Sequence, residues 1–232
     1  MESHGQYCPI AKGAEVIGDR WTLLIVREML FGVDRFNELE RCLPGISRSV
    51  LAQRLKQLER AGVVERTPGR SGRTVAYRLT QAGRELQPVV HVIGEWGASW
   101  AFPDPDPAEL DTDLLMRWIS RHIAHDELPA DRRVVRFDFT APRGRYWLAL
   151  RPGDASVCLQ YPGFEENVIV TSDAATMYDV YLGRASLGAV MAAGHVTLAG
   201  TPSDVRAFPR WFKGSRFAPY VRAARTPKTL TG

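Results

Sequence analysis

Between residues 44 and 80 the hydrophobic period switches from helical to strand-like, and no other feature restricts the fold as much. Pro44-Gly45 stops a short apolar-patterned segment, and Ser47 stands where its hydroxyl oxygen can cap a helix start. Leu51, Leu55 and Leu58 follow at i, i+4 and i+7, the stripe of an amphipathic helix that runs to Ala61 and is stopped by Gly62. Residues 63–67 and 74–79 then read as two β-strands. Pro68-Gly69-Arg70-Ser71-Gly72-Arg73 joins them as a glycine-rich turn with two arginines near its tip.

Upstream, Pro9 suits the first turn of a helix carrying Ile10, Ala14 and Ile17. Gly18-Asp19 breaks that run. Trp21, Leu24, Ile25 and Met29 form the next helix, which ends at Gly32, and residues 35–42 form a short one with Phe36 and Leu39. Short helix, Pro-Gly turn, longer helix and hairpin, in that order, make a winged helix-turn-helix. Thr80 can cap one further helix, with Leu86, Val89, Val90, Ile93, Trp96 and Trp100 spaced for burial and Pro88 placed to kink it.

Charge supports the same reading. The net charge is +4, and residues 1–80 carry all of it, with 13 Lys/Arg against 9 Asp/Glu. Within residues 41–78, nine basic side chains face only Glu59 and Glu65, a density suited to a phosphate-facing surface. In a helix-turn-helix the second helix enters the major groove with its N-terminal residues toward base edges. With the three leucines turned inward, a 100° step places Ser49, Gln53, Lys56 and Arg60 on the opposite face and Arg48 and Arg54 on the flanks. Arg48, Ser49 and Gln53 are expected to read bases, Arg54 and Lys56 to hold the backbone, and Arg70 and Arg73 to reach the minor groove or its phosphates. Arg60 lies too near the helix C-terminus to read bases.

Residues 8–100 resemble the HxlR family, winged-helix regulators related to the MarR family. The resemblance rests on Cys8-Pro9-Ile10-Ala11, the run Ile17-Gly18-Asp19-Arg20-Trp21-Thr22-Leu23-Leu24-Ile25, Arg35-Phe36-Asn37-Glu38-Leu39 and Pro44-Gly45-Ile46-Ser47. It continues through residues 50–59 and Tyr77-Arg78-Leu79-Thr80-Gln81-Ala82-Gly83. It implies a transcriptional regulator bound as a homodimer to pseudo-palindromic double-stranded DNA. The N-terminal segment and the helix after the wing would form the dimer contact. In some similar proteins a cysteine at the place of Cys8 senses oxidants or electrophiles. Reactivity there requires exposure and a lowered pKa, to which Lys12, one turn on, could contribute.

Phe102-Pro-Asp-Pro-Asp-Pro107 reads as a stiff acidic linker, so the chain divides into residues 1–101, a linker at 102–107, and 108–232. Beyond the linker a helix over 110–125 precedes strands at 134–140, 145–151, 155–161 and 166–171. Helices at 174–182 and 187–193, a strand at 195–199 and a helix at 202–212 follow, and the tail from Arg222 reads as loose. On the first strand Val135, Phe137 and Phe139 share one face and Arg136 and Asp138 the other. This is an α+β domain with a largely antiparallel sheet packed by helices. It resembles the sterol carrier protein type of lipid-binding domain in Arg145-Tyr146-Trp147-Leu148-Ala149-Leu150, residues 167–173 and Gly194-His195-Val196-Thr197-Leu198-Ala199-Gly200. The resemblance implies a pocket for an apolar small molecule, with Phe137, Phe139, Trp147, Leu148, Met177, Tyr181, Val190 and Met191 as candidate lining residues.

Other chemistries find little support. His122 and His125 stand at i, i+3, but no further ligand has metal-like spacing. No nucleophile elbow, phosphate-binding glycine loop or His-Glu-x-x-His motif occurs, so no catalytic residue, metal or cofactor is expected. Cys8, Cys42 and Cys158 form neither a disulfide framework nor a Cys-x-x-Cys pair. The start lacks a signal-peptide pattern and no apolar run could span a bilayer, which predicts a cytoplasmic protein without membrane partners. The sequence thus points to a DNA-binding regulator, a repressor under the control of an apolar small molecule. Two alternatives remain: a redox-responsive regulator sensing through Cys8, or a lipid-binding protein with a secondary DNA-binding domain.

Overall fold

The computed structural model describes residues 5–69 and 75–225. The chain divides into two compact units, and the division falls between Gly94 and Glu95.

The first unit contains α1 (Pro9–Ile17), α2 (Thr22–Leu30), α3 (Phe36–Cys42), α4 (Arg48–Arg60), β1 (Val64–Pro68), β2 (Val75–Leu79) and α5 (Gln81–Arg84). It also holds the first half of α6 (Gln87–Trp100). Ile25 and Val26 of α2, Leu39 of α3 and Leu51, Leu55 and Leu58 of α4 converge with Val63 and Val64 into one buried core. Leu51 and Leu55 are at most 1% exposed, so truncating either to Ala would cost about 2–5 kcal/mol through lost transfer energy and a residual cavity. The strands pair antiparallel with Val64 opposite Leu79 and Pro68 opposite Val75. Thr80 closes this hairpin at its base: its hydroxyl donates to the Gly62 carbonyl at 2.6 Å and accepts from the Gly83 N–H at 3.2 Å. Gly83 approaches so closely that a Cβ there would lie 2.2 Å from the Val63 carbonyl oxygen.

The single kinked helix expected after Thr80 is two helices. Glu85 and Leu86 separate α5 from α6, and Pro88 sits at the second position of α6, where its missing N–H breaks no intrahelical bond.

The second unit opens with the second half of α6, followed by α7 (Thr112–Arg121), which is capped by the Asp111 carboxylate accepting from the Leu114 N–H at 3.1 Å. Strands β3 (Arg133–Thr140), β4 (Arg143–Arg151), β5 (Asp154–Cys158), β6 (Val168–Ser172) and β7 (Thr197–Gly200) form one sheet in the order β5-β4-β3-β6-β7. All neighbours are antiparallel except β3 and β6, which run parallel. Helices α8 (Ala174–Leu182), α9 (Leu187–Ala192), α10 (Pro202–Trp211) and α11 (Ala218–Arg225) complete the unit. Leu115, Met116 and Ile119 of α7, Met177 and Tyr181 of α8, and Phe208 and Trp211 of α10 pack against Val135, Phe137, Phe139, Leu148 and Val170. Arg136, Asp138 and Arg145 stand on the opposite face, where Asp138 joins the two arginines at 3.0 and 2.8 Å.

Two expectations need correcting here. The tail expected to be loose from Arg222 is helical through Arg225, because Val221 buries itself within the second unit and extends the order. The expected linker is also not free. Arg184, whose side chain is 5% exposed, donates to Asp104 Oδ1 at 3.0 Å and to the Pro103 carbonyl, and its guanidinium lies over the Phe102 ring. These contacts hold residues 102–104 to the second unit, which begins at Glu95.

Candidate nucleic-acid interface

The interface is built on α4. Gly45 adopts φ +84°, which turns the chain sharply after α3, and Ser47 caps α4 by accepting from the Val50 N–H at 3.3 Å. The three leucines bury one side. Ser49, Ala52, Gln53, Lys56 and Arg60 emerge on the other as an exposed stripe at helical spacing. Over thirteen residues the helix extends about 20 Å, enough to lie along a major groove. Ser49, Gln53 and Lys56 stand as expected on this open face. The Ser49 hydroxyl lies 3.0 Å from that of Ser47.

Two arginines expected to touch DNA make contacts within the protein. The Arg48 guanidinium pairs with Glu40, donates to Asn37 Oδ1 at 3.2 Å and lies over the Phe36 ring, all on α3. Arg54 pairs with Asp19 Oδ2 at 2.5 Å and donates to Gln57 Oε1 at 2.6 Å. Its Nε is buried without a hydrogen-bond partner. The Arg54 side chain is 23% exposed and so has little left to offer a phosphate, whereas the Arg48 side chain is 64% exposed. Helical periodicity placed both residues on the flanks but could not reveal carboxylates contributed from α3 and from the turn between α1 and α2. Arg70 and Arg73 lie outside the described residues.

At the other end of the unit, Cys8 is the N-cap residue of α1 and is half-buried. The N–H groups of Ala11 and then Ile10 hold its thiol below the ordinary cysteine value, the expected effect of a helix start on a thiolate. Lys12 is not a cause of this lowering; its ammonium is bound to Glu15 at 2.9 Å. Cys42 is buried.

In the second unit, Phe137, Phe139, Leu148, Met177 and Tyr181 are core residues, with Val190 and Met191 packed at their edge. Trp147 cannot share a pocket with them. Side chains alternate along β4, so it stands on the opposite face from Leu148, donating Nε1–H to Glu166 at 2.7 Å and meeting Tyr161 edge-on. None of the eight candidates lines either of two surface cavities among the described residues. One of about 410 Å³ lies in the first unit beside Met29, Val33 and Arg84, and one of about 300 Å³ in the second beside Ala98, Phe102 and Arg184. Burial and then the Asp113 carboxylate push the Tyr146 phenol up to about 12, so it stays a donor at neutral pH. No cluster of three or more His, Cys, Asp or Glu side chains among the described residues could hold a metal ion. No helix among them is long and apolar enough to cross a membrane.

Comparison with known proteins falls on the region that carries α4. Residues 16–105 match the model of the HxlR-like helix-turn-helix family. The HTH-type transcriptional regulator YvaP of Bacillus subtilis is 38% identical over 115 residues, covering 47% of this chain and 99% of YvaP. The regulator Rv3095 of Mycobacterium tuberculosis is 43% identical over 98 residues, covering 42% of this chain and 61% of Rv3095. Among solved structures, the reduced form of the transcriptional regulator YodB from B. subtilis is 34% identical with a TM-score of 0.38, over 43% of this chain and 100% of that one.

Proposed function

Since the chain belongs to the HxlR-like helix-turn-helix family of transcriptional regulators, we propose that it acts in the cytoplasm as a homodimeric repressor on a pseudo-palindromic operator in double-stranded DNA. The observation that carries this reading is the open face of α4, where Ser49, Gln53 and Lys56 stand opposite a fully buried leucine stripe. In this reading Ser49 and Gln53 address base edges and Lys56 addresses a phosphate. Dimerisation is supported by α6, on which Val89, Val92, Ile93, Trp96 and Trp100 form one exposed apolar stripe, and by the exposed Ile10 of α1. A two-fold dimer would present its two α4 helices to major grooves one helical turn apart, about 34 Å. No catalytic step is assigned to either unit.

The test is binding to sequenced genomic fragments across a salt series. Gln53→Ala should relax specificity at one position at a cost of about 1–3 kcal/mol, and Lys56→Ala should weaken all sites alike and lower the salt slope by about one. Weak binding by the native protein, without sequence preference, would refute the reading.

Control is assigned to an apolar small molecule acting on the second unit. Phe137 and Met177 are buried among core side chains, which such a molecule would have to displace to reach them. It can shift the protein only through unequal affinity for the DNA-competent and incompetent states. A thermal shift of the second unit with a fatty acid probe, absent with a short polar acid, is the expected result. A second reading is favoured by the Cys8 thiol, lowered by the helix start: oxidation there releases DNA. Unchanged release by oxidant in Cys8→Ser would remove it.

A further inference from the structure

We propose that Arg54 and Asp19 are a positioning pair, and that Arg54 sets the reading angle of α4 without touching DNA. This inference rests on α4 being the reading helix and concerns what orients it.

Asp19 lies at the corner between α1 and α2, 35 positions before Arg54 in the chain. That corner is tightly built. The Gly18 N–H closes α1 on the Ala14 carbonyl at 2.8 Å, and a Cβ on Gly18 would stand 2.6 Å from the same oxygen. Asp19 uses its two carboxylate oxygens for different tasks. Oδ1 accepts from the Trp21 N–H at 3.1 Å at the start of α2, and Oδ2 takes the Arg54 guanidinium at 2.5 Å. The side chains are 23% and 31% exposed, which shields the pair from full solvent screening.

The Arg54 end is equally committed. One amino nitrogen meets Asp19, the other meets Gln57 one turn further along α4, and Nε is buried. Loss of Asp19 would leave a largely buried cation unpaired, so the pair resists separation. Trp21 of the same corner packs against the core that holds Leu51, Leu55 and Leu58. The recognition helix is therefore seated by its leucine stripe in that core and tied near its middle to the α1–α2 corner through Arg54. The tie limits how the helix can turn about its seat. Base contacts depend on the direction of the helix to a fraction of an ångström, whereas phosphate attraction is far more tolerant.

The test compares Asp19→Asn, Arg54→Met and the neutral pair Asp19→Asn with Arg54→Gln. Asparagine keeps an acceptor for the Trp21 N–H, and methionine keeps the aliphatic packing. Each single variant should lose roughly tenfold in operator affinity, with non-operator affinity and salt slope unchanged, and the neutral pair should recover most of the loss. If Arg54→Met weakens operator and non-operator binding alike and lowers the slope by about one while Asp19→Asn is normal, Arg54 is a phosphate contact and the proposal fails. Native operator affinity in both single variants overturns it as well. Amide hydrogen exchange along residues 48–60, measured without DNA, decides the matter independently of any operator. Faster exchange there in both single variants supports the pair, and unchanged exchange overturns it. An unperturbed pair in a protein that shows no operator preference would refute the DNA reading alone.

Discussion

Replacing Trp96 with alanine should dissociate the proposed dimer while leaving the folded protomer intact. Trp96 is 61% exposed and Trp100 66% exposed, so neither contributes much to the core of its own chain. Angles of 100° per residue bring Val89, Val92, Ile93, Trp96 and Trp100 within a single face of α6. An aromatic side chain presents about 150–250 Å² to a partner, and the exposed share of Trp96, 61%, is then roughly 90–150 Å². At about 25 cal/mol per Å², burying it contributes about 2–4 kcal/mol per protomer. A two-fold interface counts the loss twice, about 4 kcal/mol at the lower bound, which is roughly a thousandfold in Kd. Sedimentation equilibrium over a wide concentration range reads this directly, and operator affinity should fall with it because a monomer holds one half-site. The thermal midpoint extrapolated to monomer should not fall, since alanine is a good helix former at an exposed site. A dimer constant unchanged by Trp96→Ala would refute the assignment of α6 as the contact.

Gly83→Ala would press a Cβ to 2.2 Å from the Val63 carbonyl, and should cost the first unit about 2–3 kcal/mol, or about 10 °C or more in its thermal transition; an unaltered calorimetric trace would contradict the close approach. His122 is held below its ordinary value, mainly by burial, so at acid pH the unfolded chain takes up a proton that the folded chain resists. Stability of the second unit should be full above pH 6.5 and should decline as pH falls from there toward the lowered folded value, whereas His122→Asn should flatten that decline; parallel pH profiles for the two proteins would count against it. Cys8 should be alkylated by iodoacetamide near neutral pH well before Cys42, which is 2% exposed, and peptide mass spectrometry would reveal the opposite order.

The sequence by itself determined the features that arise from local period and turn chemistry. Leu51, Leu55 and Leu58 had to bury one side of α4, which left Ser49, Gln53 and Lys56 outside. The alternation of Val135, Phe137 and Phe139 set the inner face of β3 in the same way. Gly45 and Ser47 marked the turn and the cap because a positive φ and free N–H groups each favour particular residues. Tertiary structure alone decided which charges remain available. Arg48 and Arg54 are placed by period, but their carboxylate partners come from α3 and from the α1–α2 corner, and period says nothing about what lies across a core. The same limit explains Arg184, which claims a segment that composition alone reads as linker, and Trp147, whose neighbour Leu148 faces the other side of the sheet. It also explains α11, ordered by burying Val221. Periodicity reports which side of an element turns inward, while its partners depend on contacts between residues far apart in the chain, and those are fixed only when the core closes.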